Sequence, residues 1–367
     1  MLEFLRSYHF VYNVLIVVFS TAITLLCIPS ILHVARARHL YDDVGHFRKQ
    51  HDHGIPRLGG VAIFVSFTIT ALLFSIIDKS LPLSFLLTAC IILFAMGLKD
   101  DLSGVNSSTK FLIQFVVAAI LVIPGNIRIT SMYGIFNIST LPYIPSVILS
   151  VLGIMLIINA FNLIDGIDGL AATTGIIVNS AFAALFIYME QYELAAISLA
   201  MVGAIAGFLR YNITPAKIFM GDTGALLIGL LSAVMAIKFM ELSKVSAGKL
   251  PFTFTAPALT IAILIGPVFD TLRVFTLRIL KGKSPFEADR NHIHHRILQL
   301  GLTHLQTTMI LAGINIVSIV VVLTLTEVSN SLLIVLILLL SVFFNWMITF
   351  FIRSKERENL ALRNLFV

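Results

Sequence analysis

The sequence predicts an all-α polytopic membrane protein of about eleven transmembrane helices, and three observations carry that expectation. Apolar residues make up 58% of the 367 and charged ones 12%, with a mean hydropathy of +0.99, well outside the range of soluble domains. Windows of roughly 20 apolar residues, each long enough to cross a hydrocarbon core of about 30 Å, can be placed eleven times. Lysine and arginine are also divided unequally between alternate loops, as the positive-inside bias requires.

The windows lie near 10–33, 58–77, 81–98, 110–124, 143–160, 169–189, 193–210, 222–240, 254–279, 304–325 and 331–352. The first exceeds the roughly 7 to 15 residues of a secretory signal core, and its basic residues Arg36 and Arg38 follow it. It therefore reads as a span. Only Asp78, Lys79 and Ser80 separate the second window from the third, and the fourth is short. Between the fourth and fifth, Ile127 to Ser139 alternates around Gly134, which predicts a small external β-hairpin. The longest basic loop follows the ninth window and carries a histidine-rich segment. No low-complexity linker, soluble domain or internal repeat intervenes, so residues 1–367 read as a single transmembrane domain.

Placing the loop after the first window in the cytoplasm leaves only Arg6, Lys79, Arg128, Lys238, Lys244 and Lys249 outside, so 19 of the 25 basic residues lie inside. The expected orientation is N-terminus outside and C-terminus cytoplasmic. Acids, which the rule does not use, follow the same division: the outer face holds only Glu3, Asp78, Glu190, Glu193, Glu241 and Glu327 of the 19. Chemistry is therefore expected at the cytoplasmic face of a cell membrane. The net charge of +6 comes without a clustered basic domain, so nucleic acid is not an expected partner. Cys27 and Cys90 sit in apolar runs, which predicts neither a disulfide framework nor a thiolate metal site.

Five polar clusters fall at cytoplasmic helix ends. Lys99-Asp100-Asp101 closes the third window and Lys110 opens the fourth. Adjacent carboxylates repel unless a cation neutralises them, so this pair suits a general base or a divalent ion. In Asn159-Ala-Phe-Asn162-Leu-Ile-Asp165-Gly166-Ile-Asp168-Gly169 the three-residue spacing of Asn162, Asp165 and Asp168 would place them on one helix face. The glycines there would let a ligand approach the backbone. Asp222, in Met220-Gly221-Asp222-Thr223-Gly224, reads as a helix N-cap or as a hard oxygen ligand for Mg²⁺.

The fourth cluster is Asp289-Arg290-Asn291-His292-Ile293-His294-His295-Arg296. No cysteine or carboxylate pattern completes a zinc shell there, and its arginines and imidazoles suit an anion such as diphosphate. The fifth, with Arg48, Lys49 and Arg57, either obeys the positive-inside rule or holds a lipid phosphate. Together the clusters fit phosphoryl transfer: carboxylates for a metal, and cations for developing negative charge.

Lys99-Asp100-Asp101, the Asn159 to Gly169 segment, Met220 to Gly224 and Asn291-His292-Ile293-His294-His295-Arg296, in that order, resemble the polyprenyl-phosphate N-acetylhexosamine-1-phosphate transferase superfamily, glycosyltransferase family 4. The likeness runs from about residue 48 to 302. It implies a bundle of ten or eleven helices with a cytoplasmic active site, a UDP-N-acetylhexosamine donor, a polyprenyl phosphate acceptor, and UMP release with Mg²⁺ or Mn²⁺. On this footing Asp222, helped by Asp100 and Asp101, is expected to hold the metal, and one of that pair to accept or align the proton of the lipid phosphate. Asn162, Asp165 and Asp168 would orient nucleotide and metal, and His292, His294, His295 and Arg296 would hold diphosphate or sugar. Lys110, Arg48 and Arg57 would meet the lipid phosphate.

The His-Ile-His-His-Arg form resembles the branch that starts O-antigen, common-antigen or teichoic-acid linkage synthesis, with UDP-N-acetylglucosamine as donor. The phospho-N-acetylmuramoyl-pentapeptide transferase branch, the alternative, carries an acid near Arg296. A homodimer is an arrangement open to such a bundle. The rival from another class is an ion-coupled secondary transporter.

Overall fold

The computed structural model describes residues 9–40, 54–74, 82–245, 251–283 and 291–365. A segment in lipid must satisfy its own backbone N–H and C=O groups, so the apolar windows fold as helices. In chain order these are α1 (His9–Ala37), α2 (Gly59–Phe74), α3 (Leu83–Ser103), α4 (Ser107–Val122), α5 (Tyr143–Ile164), α6 (Leu170–Tyr188), α7 (Tyr192–Asn212), α8 (Gly221–Val245) and α9 (Ala256–Leu280). A short α10 (Ile293–Gln299), then α11 (His304–Thr324) and α12 (Asn330–Leu365), complete the described helices. Nine of them are long and apolar enough to cross a membrane, and α2 and α4 are shorter apolar helices. The chain is an all-α, multi-pass membrane protein. A helix lies at each of the eleven expected windows.

Burial ranks the helices. The apolar stretch of α8 is 78% buried and that of α7 72%, against 22% for α1 and for α12. A helix that is apolar all round belongs inside a bundle, and α8 is enclosed by α2, α3, α5, α6 and α9. Because lipid drives helices together no more than it drives them apart, small and polar residues make the seams. Ser20 of α1 shares a 2.9 Å hydrogen bond with Ser66 of α2 and donates to the Ala200 carbonyl of α7 at 2.7 Å. Pro267 inside α9 cannot donate to the Ile263 carbonyl. Asn315 of α11 donates to that carbonyl at 3.1 Å instead, and accepts from the Gly266 N–H at 3.1 Å.

The expected β-hairpin is corrected. Among the described residues there is no strand, only an isolated antiparallel bridge between Ser131 and Thr140. The chain does double back, but a ladder cannot grow. Helix side chains take its donors: Ile129 N–H donates to Ser150 Oγ at 2.8 Å, and Thr130 N–H to Glu241 at 2.7 Å. Tyr133, Gly134, Phe136 and Asn137 all have positive φ, which ends extended pairing.

Candidate active site

The start of α8 is where the site is assembled. Gly221, at φ +72°, is its first residue, and a Cβ there would fall 2.4 Å from the Arg57 carbonyl and 2.6 Å from the Asp101 carboxylate. Only glycine fits that conformation and that crowding. The preceding loop is stitched to the entry of α2: Gly59 N–H donates to Phe219 O at 3.0 Å and Gly60 N–H to Met220 O at 2.8 Å. Asp101, from the end of α3, caps α8 across the helix boundary. Its carboxylate accepts from Asp222 N–H at 2.8 Å, Thr223 N–H at 3.0 Å and the Thr223 hydroxyl at 2.6 Å. These are the unsatisfied donors of a helix N-terminus, where a negative charge is favoured.

Asp100 and Asp222 face a common cation. Lys110 Nζ lies 2.7 Å from Asp100 Oδ2 and 2.7 Å from Asp222 Oδ2. The other Asp222 oxygen accepts from Asn162 Nδ2 at 2.8 Å, and the other Asp100 oxygen from Val105 N–H at 2.7 Å. Four helix ends, those of α3, α4, α5 and α8, thus converge on one polar point. Asp100, Asp101 and Asp222 each place a carboxylate oxygen within 4.8 Å of the others. That hard-oxygen set, already bridged by an ammonium, fits a divalent cation such as Mg²⁺.

Asp165 joins this group, but Asp168 does not. The helical spacing predicted one face for Asn162, Asp165 and Asp168, and this is corrected: α5 ends at Ile164, Asp165 is its C-cap, and Gly169 at φ +77° opens α6. Residues 165–169 therefore turn, and the two carboxylates part. Asp165 accepts from Gly221 N–H, and burial, then the charges of Asp222 and Asp101, push its carboxyl up to about 7. Asp168 instead meets His304 at 3.4 Å and accepts from Ala216 N–H at 3.4 Å. Burial raises its carboxyl, but the hydrogen bond and charge of His304, with hydrogen bonds from Ala216 and Thr214, outweigh that and hold it below the usual range.

The histidine segment lies against the same turn. A Cβ on Gly166 would fall 2.5 Å from His294 Nε2, so the close approach predicted for a ligand is made by an imidazole. His294 is buried, and that burial, then its neighbour His295, lower it to about 3. It is neutral at physiological pH. Its ring lies 4.3 Å from that of His295 and 5.7 Å from that of His292. His292 Nδ1 lies 2.9 Å from Asp270 Oδ2, while Asp270 Oδ1 accepts from Ile293 N–H at 3.0 Å and Arg273 at 2.8 Å. Arg296 turns away from this group to α12, with its guanidinium on Asn345 and on Thr349, the latter at 2.6 Å.

Of the expected site residues, Asp100, Asp101, Lys110, Asn162, Asp165 and Asp222 come together, and His292, His294 and His295 form an adjoining group. Arg57 reaches the first group through its backbone carbonyl beside Gly221, and its charge works to lower the Asp165 carboxyl. Arg48 lies outside the described residues. Sequence reasoning missed Asp270, Arg273 and His304. An acid at position 270, inside a largely apolar window, was the available signal for the first.

Residues 83–240 match the family model of glycosyl transferase family 4, a span holding every member of the acid cluster. The chain is 33% identical over 72% of its length, and 70% of the relative's, to "Decaprenyl-phosphate N-acetylglucosaminephosphotransferase" of Mycolicibacterium smegmatis. It is 31% identical to "Probable undecaprenyl-phosphate N-acetylglucosaminyl 1-phosphate transferase" of Bacillus subtilis, over 72% of the chain and 71% of the relative. With "Undecaprenyl-phosphate alpha-N-acetylglucosaminyl 1-phosphate transferase" of Escherichia coli K12 it shares 27%, over 73% and 72%. Motif order, site geometry and these relatives agree: the chain belongs to the polyprenyl-phosphate N-acetylglucosamine-1-phosphate transferase family, glycosyl transferase family 4.

Proposed function

We propose that this chain transfers N-acetylhexosamine-1-phosphate, foremost N-acetylglucosamine-1-phosphate, from its UDP-sugar to a polyprenyl phosphate. The observation that carries this reading is the convergence of Asp100, Asp222, Lys110 and Asn162 from four helix ends, joined through Gly166 to the histidine segment. The orientation read from lysine and arginine puts that face in the cytoplasm, where UDP-sugars are found, with eleven crossings and the N-terminus outside. The 367 residues act as one transferase unit in the cytoplasmic membrane, at the first membrane step of a cell-envelope polysaccharide. The names of the relatives favour the N-acetylglucosamine donor over the muramoyl-pentapeptide donor.

In the proposed reaction an oxygen of the lipid phosphate attacks the sugar-bearing phosphorus, that phosphorus's bond to the bridging oxygen breaks, and UMP departs. Mg²⁺, when bound by Asp222 and Asp100 with Asp101 alongside, supplies charge neutralisation on the diphosphate. Asp101 takes three donors of α8 on its two oxygens, whereas among the described residues Asp100 Oδ2 is held by the Lys110 ammonium alone, so Asp100 is the better placed of the pair to meet the lipid phosphate. Lys110, which lies between Asp100 and Asp222, would serve as a partner for developing negative charge on the phosphates. Asn162 holds Asp222 in place, and Asp165 and Asp168 fix the turn that carries Gly166. The neutral imidazole of His294 and the rings of His292 and His295 beside it offer donors to sugar or phosphate oxygens.

The test is direct. Purified protein with polyprenyl phosphate, Mg²⁺ and a panel of UDP-sugars should release UMP with UDP-N-acetylglucosamine and form a lipid diphosphate sugar. Release only with the pentapeptide donor, or no release from any donor, overturns the assignment.

A further inference from the structure

Away from the acid cluster, a cavity of about 420 Å³ opens between α1 and α7, lined by Thr21, Leu25, Ala206, Arg210, Tyr211 and Lys217. None of these residues belongs to the acid cluster or the histidine segment. The two helices run parallel. His9 stacks on Tyr192 with ring centroids 4.0 Å apart where both begin, and Gly203 then Gly207 meet Val17 then Thr21 in the same order along the chains. At those glycines the backbones nearly touch, and Thr21 donates to Gly203 O at 3.0 Å. The cavity lies beside this seam, with Leu25 and Ala206 as its apolar lining and Arg210 and Lys217 where α7 ends.

The cations decide what the cavity suits. Arg210 and Lys217 are both exposed, and neither side chain has a hydrogen bond or ion pair among the described residues. Lys217 is held by its backbone, its N–H donating to Tyr211 O at 2.8 Å. Two basic residues at a helix end would ordinarily do no more than satisfy the positive-inside bias. Here they share one concavity with the apolar side chains of Leu25 and Ala206, the combination that an anionic head-group site between transmembrane helices requires. Lys110 and Arg273 of this face are instead spent on the protein, Lys110 on Asp100 and Asp222, and Arg273 on Asp270.

We infer that this cavity binds an anionic glycerophospholipid of the surrounding leaflet, with its phosphate between Arg210 and Lys217 and an acyl chain along Leu25 and Ala206. The site is separate from that of the lipid substrate and does not depend on the proposed reaction. Native mass spectrometry of the full chain, released from detergent with phosphatidylglycerol or phosphatidylcholine at equal concentration, tests it. Wild type should retain one phosphatidylglycerol at least about tenfold better than the Arg210→Gln/Lys217→Gln variant, as expected when two lipid-facing cations are lost. Equal retention in that variant, or equal retention of phosphatidylcholine, overturns the inference. So does displacement of the lipid by inorganic phosphate or by polyprenyl phosphate. A photoactivatable phosphatidylglycerol on wild type needs no variant to fold: cross-links should map to peptides of α1 and α7 around the cavity, and labelling confined to other helices overturns the site.

Discussion

The acid cluster and the histidine segment adjoin each other, yet they are built by opposite means. The acid cluster rests on backbone against backbone: α2, α3 and α8 approach so closely that a Cβ on Gly60 would lie 2.1 Å from Gly224 N, and one on Gly97 2.6 Å from Thr223 Cα. Its charges are neutralised locally, by Lys110 and by the N–H groups that open α8. The histidine segment is a short helix held by side chains reaching in from α9 and α12, namely Asp270, Asn345 and Thr349. The first region is fixed by the core itself. The second is attached to it. A substitution should therefore act on the first through chemistry or backbone clash, and on the second through the loss of particular hydrogen bonds.

The largest effect is expected where chemistry and architecture coincide. Asp222→Asn keeps the size of the side chain and a partner for Asn162 but removes the charge opposite Lys110. UMP release should fall by about 10² to 10³-fold, the scale of losing one preorganised electrostatic group, even at saturating Mg²⁺ and with the elution volume unchanged. Undiminished turnover would end the metal assignment and with it the contrast between the two regions.

Next in size is a test of the backbone contact. Gly60→Ala would gain up to about 1 kcal/mol of helix propensity, but its methyl would meet Gly224 backbone atoms that have no rotamer to yield. Overpacking of this kind costs about 1 to 3 kcal/mol or more, so clash wins. A lowered unfolding temperature with UMP release lost is the expected result, and an unchanged unfolding temperature would show that α2 and α8 can separate at no cost.

The histidine segment should respond more mildly. Asp270→Asn leaves an acceptor for Ile293 N–H but removes the charge facing His292 and Arg273. Loss of a charged hydrogen bond of about 1.5 to 3 kcal/mol should lower kcat/KM by about tenfold while unfolding shifts little. Asp270→Glu should recover part of it. If Asp270 merely capped α10, both variants would lower the unfolding temperature and leave kinetics alone.

These regions also differ in how far the sequence disclosed them. The apolar windows set the helices because lipid permits little else, and the acids stood out because they are costly there. Cross-helix partners carry no such mark. Asp101 capping α8, or Arg296 turning to α12, depends on helix packing that no local spacing encodes. The shared face for Asn162, Asp165 and Asp168 failed for a related reason: periodicity assumes the helix continues, and Gly166 with Gly169 ends it. The hairpin between α4 and α5 failed because its donors go to Ser150 and Glu241.

Asp168 offers a smaller effect, read by pH. Its folded carboxyl is held below the ordinary value, against burial, by His304. A depressed carboxylate contributes stability above its unfolded pKa of about 3.9 and loses it as pH falls through the folded value. Between about pH 5 and pH 3, the unfolding temperature of wild type should therefore drop more steeply than that of Asp168→Asn. Parallel curves would show that the Asp168 and His304 contact adds nothing to the turn.

The smallest effect should come from the far end of α6. Asp168 stands just before that helix and Glu190 just beyond its end at Tyr188, so 19 residues of helix, about 28 Å at 1.5 Å each, separate the exposed Glu190 from the acid-bearing turn. Glu190 has φ +59°, a conformation that the backbone rather than the carboxylate must sustain. Glu190→Gln should leave UMP release within about twofold of wild type, since surface changes of this kind move free energies by only about 0.5 kcal/mol. A large loss would mean that chemistry reaches the opposite face, and a site confined to one side of the bundle would no longer account for the reaction.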